Sequence, residues 1–239
     1  AVQSQNPNGA LIMAITYRAL SRLLSYPDAT FQAESGAIVD AIQAEGVIPE
    51  RIIKSLRKLA QSISGMDIYE AQAAYVDQFD RSRTLSLHLY EHVHGESRER
   101  GPAMVGLVEL YKSHGLELDV SDLPDYLPIF LEFLSIIPDA EAASLIGEAA
   151  HVIEAIGERL KKRQRPYRAI FGALMTLSDR PADKAALADL LAMPEDDPND
   201  LEALDENWAE EPVTFGPGTS SDGCPKAAAM VNNMQGARR

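Results

Sequence analysis

A single cysteine, Cys224, is all the thiol chemistry that these 239 residues hold. It excludes a disulfide framework and any zinc site built from cysteines, and it fits a reducing cytoplasm. Basic residues are also few, 22 Lys and Arg against 36 Asp and Glu, for a formal charge of −14. That balance excludes the basic stripe expected of a nucleic-acid binder and argues against docking on anionic lipid. It suits a solvated surface or a basic partner. No apolar run reaches the length of a membrane span. The most apolar early stretch, Leu11 to Leu24, carries Arg18 and Arg22 and lacks a cleavage-type end, so it is not read as a secretory signal. The chain opens on Ala1 rather than Met, which reads as a processed or engineered start. Strand alternation is missing, as are fixed-period repeats, the phosphate-loop pattern and the nucleophile-elbow pattern.

What is there is helical periodicity. Leu11, Ile15, Ala19 and Leu23 share a stripe that stops at Pro27. Helices are expected over 31–44, 52–63 (with Pro49 as an opening proline) and 66–79. Another starts at Pro102, with Met104, Leu107, Val108 and Tyr111 at helical spacing and Gly115 closing it. Asp125 is placed to cap a helix with Pro128 in its first turn and Leu127, Phe130, Leu131 and Leu134 on its apolar face. Pro138 and Asp139 open the longest helix, which closes on Lys161, Lys162, Arg163 and Arg165, complementing the negative end of its dipole. Two more span 169–177 and 183–191. The expected fold is all-α: one compact multi-helix domain over 10–193, after a flexible start at 1–9. From Pro194 the character changes. Residues 195–211 hold nine acids and no base, and 212–239 are rich in Gly, Pro, Ser and Ala. This reads as a mostly disordered tail, 194–239, that keeps the chain soluble, with a short helix around 201–208.

The densest polar block is 91–104, with two His, two Arg and three Glu ahead of Gly101-Pro102. Such density belongs to a connection put to use. Within it, His88-Leu-Tyr-Glu91-His92 matches the inverted zincin pattern. On a helix the two imidazoles would lie one turn apart, with Glu91 as base, which gives the alternative reading of a helical zinc hydrolase. A catalytic zinc needs a third ligand that the pattern does not choose, so the histidines read more simply as hydrogen-bonding helix-end residues, with no metal and no catalytic residue. Arg98 and Arg100 have two readings, ligand contact or pairing with nearby carboxylates such as Asp77 and Asp80.

Three stretches together resemble one family: Tyr75-Val-Asp-Gln-Phe-Asp80, Glu91-His-Val-His-Gly-x-Ser-Arg-x-Arg-Gly-x-Ala-Met104, and Asp122-Leu-Pro-Asp-Tyr-Leu-Pro128 running into Leu131-Glu-Phe-Leu134. The chain is similar to the delta-type assembly chaperones of membrane-bound respiratory nitrate reductase, within the wider TorD/DmsD group of redox-enzyme maturation chaperones. The likeness spans about 10–215, including Trp208-Ala-Glu-Glu-Pro-Val-Thr-Phe215. It implies an all-helical fold without a cofactor or enzymatic turnover. It implies a partner, the catalytic molybdenum subunit of nitrate reductase, held by its N-terminal segment while membrane docking is delayed and molybdenum cofactor is inserted, by a monomer or a dimer. The wider group's Glu-Pro-Asp-His block for leader peptides corresponds here to Leu123, Pro124, Asp125 and Tyr126, which keeps the Pro and the Asp. On this reading an apolar groove takes a client helix. Tyr75, Phe79, Tyr111, Tyr126 and Phe130 line it, and Asp80, Glu91 and Asp125 stand near its rim. His92, His94, Arg98, Arg100 and Pro124 complete the expected client-binding set. The other place for those aromatics is the core.

Overall fold

Ten α-helices and one 3-10 turn make up the described residues, 13–95, 97–119 and 123–194, of the computed structural model. They are α1 (Ala14–Leu24), α2 (Ala29–Glu45), α3 (Glu50–Ser64), α4 (Ile68–Phe79), the 3-10 turn Arg83–Leu85, α5 (Leu89–His94), α6 (Arg100–Ser113), α7 (Leu127–Leu134), α8 (Asp139–Lys162), α9 (Arg168–Leu177) and α10 (Lys184–Ala192). The all-helical expectation holds. The expected short helix at 201–208 and the readings of 1–9 and 195–239 lie outside the described residues.

Local chemistry accounts for the boundaries. Asp28 caps α2, its carboxylate accepting from Phe31 N at 2.7 Å while Arg22 grips both oxygens at 2.9 Å. Asp67 and Asp183 cap α4 and α10 in the same way. Pro102 falls inside the first turn of α6, where a missing N–H costs nothing, so that helix begins at Arg100 rather than at the proline. Gly115, at φ +81°, follows its end in the left-handed conformation.

The longest helix, α8, packs against α9 and α10 and touches α5 and the 3-10 turn; α1 packs against α2 and α7, and α3 against α2 and α9. The core between them holds Tyr17, Leu20, Phe31, Leu131, Phe133, Ile153, Ile156 and Leu174, all essentially inaccessible to solvent. Burying each such side chain is worth about 1.5–3 kcal/mol. The stripe expected on α1 is corrected at one position, since Ile15 is 55% exposed. Ala19 and Leu23 of that stripe are buried, Leu11 lies outside the described residues, and with α2 on one flank and α7 on the other the buried face of α1 widens to take in Thr16, Tyr17, Leu20 and Leu24. Six of the eight residues of α7 are buried, and Ser21 of α1 donates to the Pro128 carbonyl at 2.8 Å. This helix anchors, from below, the loop that precedes it.

Candidate functional site

Two loops meet at one isolated antiparallel bridge, His88 to Tyr126. Leu89 N donates to Asp125 O at 3.0 Å, and Leu127 N to Leu87 O at 2.8 Å. This short ladder brings the 86–100 block against 124–126, two of the three stretches singled out in the sequence.

Asp125 sits at the junction with no solvent exposure. Its carboxylate accepts from Tyr90 N and from His88 Nδ1, each at 3.2 Å, and Arg100 lies 3.7 Å away. Arg100 also lies 3.9 Å from Glu91, whose carboxylate accepts from Ser86 Oγ. His92 is buried and donates from Nε2 to Ser86 O at 2.8 Å. Burial holds its pKa below the usual imidazole value, the nearby Arg159 adds to that, and the bond to Ser86 opposes it. Tyr111 donates to Pro124 O at 2.6 Å, pinning the loop from α6. Tyr75 donates to Leu24 O at 2.8 Å and meets the Tyr126 hydroxyl at 3.0 Å. Its phenol is pushed far above its ordinary range, first by burial and then by Tyr126.

This geometry corrects several expectations. Asp125 does not cap the helix that follows. Tyr126 occupies the cap position, and the Asp125 side chain turns back to the backbone of α5. Nor does Asp125 stand on a rim; it is sealed beneath Arg100 and His88. Tyr75, Phe79 and Tyr111 belong to the core, with Tyr75 and Phe79 at 5.0 Å and Tyr111 against Phe133 at 4.5 Å. Tyr126 is half-buried and stacks beside His88. Asp80 and Arg98 are exposed, and His94 is half-buried against Tyr90. Asp77 pairs with Arg81 and Arg165, leaving Arg100 to the Glu91–Asp125 pair instead. His88 and His92 do not share a helical face either. His88 precedes α5 in extended backbone and points at Asp125, while His92 points at the Ser86 carbonyl. The arrangement that the zinc reading needs is therefore not formed.

Beside this hub lies an apolar cavity of about 270 Å³ between α5, α6 and α8. Phe130, Leu107 and Val152 form its buried floor, Tyr90 and Leu110 its walls, and Glu148 reaches its edge. Val93, 51% exposed, stands at its mouth. Of the expected aromatics, only Phe130 lines it. Sequence reasoning missed Ser86, Tyr90, Val93 and Arg159. Arg159 carried a signal: it falls among Val152, Ile156 and Leu160 on the buried stripe of α8 and is itself buried, donating to Thr84 O at 3.0 Å and to Leu190 O.

The helical body thus carries a loop junction, its polar groups paired among themselves, beside an apolar cavity. Its fold resembles the crystal structure of a candidate redox enzyme maturation protein from Archaeoglobus fulgidus, with a TM-score of 0.50 and 21% identity over 73% of this chain and 95% of that one. Residues 48–173 match the family model described as nitrate reductase delta subunit. The nitrate reductase molybdenum cofactor assembly chaperone NarJ of Escherichia coli K12 is 38% identical over 218 residues, 90% of either chain. A candidate chaperone of the same kind from that strain, NarW, is 40% identical over 160 residues, 67% of this chain and 69% of its own. The chain belongs to the nitrate reductase delta subunit family.

Proposed function

We propose that this chain is a cytoplasmic assembly chaperone for nitrate reductase. It grips the N-terminal segment of the immature catalytic molybdenum subunit, delays that subunit's docking at the membrane and supports insertion of the molybdenum cofactor. It turns nothing over and carries no cofactor of its own. Relatives named as molybdenum cofactor assembly chaperones support the class of activity. The cavity between α5, α6 and α8 carries the reading of how it works. Its volume of about 270 Å³ suits two or three apolar side chains of an amphipathic helix rather than a whole small molecule. Glu148 at its edge favours a client residue with positive charge. Among the client-binding set, Phe130 forms the floor. Glu91, His92, Arg100, Pro124, Asp125 and Tyr126 hold the shape of the adjoining loops, and a rigid receptor lowers the ordering cost of binding.

Calorimetric titration with the client's N-terminal peptide tests this. Each apolar side chain buried is worth about 1.5–3 kcal/mol, so Val93→Asp and Leu110→Asp should each weaken binding about tenfold or more. Tyr69→Asp, at an exposed position on α4, should leave it unchanged. Affinity that ignores both cavity substitutions would overturn the assignment of the cavity.

A further inference from the structure

Glu148 and His151 of α8 line the apolar cavity, and they also line a second recess, bounded by the loop between α9 and α10 and by the start of α10. The two hollows therefore open to either side of one ridge. The wall of the second is fixed to α8. Asp179 N donates to Ala143 O at 3.2 Å, and Arg180 donates to Ser144 Oγ at 2.7 Å while pairing with Asp179 at 2.8 Å. Gly147 makes room for that pair, since a Cβ there would overlap the Asp179 carboxylate and stand 2.6 Å from Arg180 Nε. Asp183 caps α10, accepting from Ala186 N at 2.8 Å. Ala182, Ala185 and Ala186 keep the lining small, and the recess measures about 810 Å³.

These pairings leave two charges of opposite sign. Asp179 is neutralised by Arg180, and Asp183 by the helix end that it caps. Glu148 and Lys184 line the recess, are exposed, and form no ion pair among the described residues. Lys184 is the first residue of α10, so the helix dipole adds to its positive field. A client helix seating side chains i, i+4 and i+7 in the apolar cavity covers only about 10 Å of its length there, and it continues past the edge. We infer that the client segment runs from the apolar cavity over the Glu148–His151 ridge into this recess, where Lys184 seats an acidic side chain of the client beside the basic one drawn by Glu148. The inference rests on the client-binding reading of the apolar cavity. Opposite charges at one ridge fix the direction in which the segment lies, which apolar contact by itself does not do.

Calorimetry at low salt tests it, with the full chain, the client's N-terminal peptide and a series of that peptide in which each Asp or Glu in turn becomes Lys. Lys184→Glu should weaken binding of the native peptide about threefold, and Lys184→Arg should not. One peptide of the series should lose about threefold on the native chain and regain it on the Lys184→Glu chain. The losses should shrink at about 0.5 M salt. Should Lys184→Glu fail to fold, zero-length carbodiimide coupling on the native chain decides: a peptide carboxylate should join Lys184 in preference to the exposed Lys54, Lys58 and Lys112. A peptide without an acidic residue, no charge-swap recovery, or equal coupling to all four lysines would overturn the inference. Weakening by Val93→Asp with no response to Lys184→Glu would overturn the recess and leave the apolar cavity standing, whereas indifference to both would overturn the two together.

Discussion

Asp125 joins α5, α6 and the loop before α7 through one carboxylate that water does not reach. Removing it leaves Tyr90 N, His88 and Arg100 facing a void. Asp125→Ala should therefore cost about 2–4 kcal/mol of unfolding free energy, measured by urea titration, and Asp125→Asn somewhat less because the amide oxygen still accepts from Tyr90 N. Spacing before an apolar helix made this residue look like a cap; a partner 35 residues earlier in the chain won, and sequence spacing does not register that partner. His92 carries a pH dependence. Its folded pKa lies below the ordinary 6.5, chiefly because burial disfavours the cation. The unfolded chain therefore takes up the proton first as pH falls, so the stability His92 contributes is complete above about 6.5 and declines below it. Urea midpoints should fall from pH 7.5 to pH 5.5, and His92→Gln, which keeps a donor for Ser86 O, should flatten that fall. Gly95 is a third sensitive point, with φ +52° and ψ −126°, where a side chain is strained. Gly95→Ala should cost about 1–3 kcal/mol in the same assay.

Among the elements, those with a long apolar period are legible in the amino-acid sequence alone. The stripes of α6 and α8, and the spans of α9 and α10, fall within a few residues of expectation. The six residues of α5 are not, because one and a half turns show no period, and the 3-10 turn before it is shorter still. The polar block 91–104 thus looks like one connection, yet it is the end of α5 and the start of α6 with a turn between them. The apolar cavity is illegible for a different reason: its walls come from α5, α6 and α8, and no single helix displays it. Tyr75 and Tyr111 are legible as aromatics at helical spacing, but only packing decides that they face inward. The short helix α7 illustrates how burial dominates propensity. Phe133, inaccessible and stacked on Tyr111, should cost about 3–5 kcal/mol on change to Ala, whereas its exposed neighbour Glu132 should cost less than about 0.5 kcal/mol, as read by thermal or urea unfolding.

Over the whole molecule, α8 is the strut to which the site, α9 and α10 are all attached, and Arg159 is where two of those attachments cross. A cation that solvent barely reaches, surrounded by Ile156 and Leu160, carries a desolvation cost that only good partners offset. Two of its partners are backbone carbonyls from segments 75 residues before it and 31 residues after it, so the guanidinium reports on both at once. Arg159→Met keeps the length and apolar stem of the side chain but leaves the carbonyls of Thr84 and Leu190 without this donor. The lost charge-assisted bonds should lower stability by about 2–4 kcal/mol. The loss should be local before it is global. Hydrogen exchange should accelerate first in α10, which has little else buried, and next in the 3-10 turn that leads into Ser86 and His88. Amides of α1 and α2, which pack away from Arg159, should keep their protection. Uniform acceleration over all ten helices would mean that Arg159 stabilises only the global fold. Acceleration confined to α10 and the turn would mean that α10 and the loops of the candidate site are braced by one side chain.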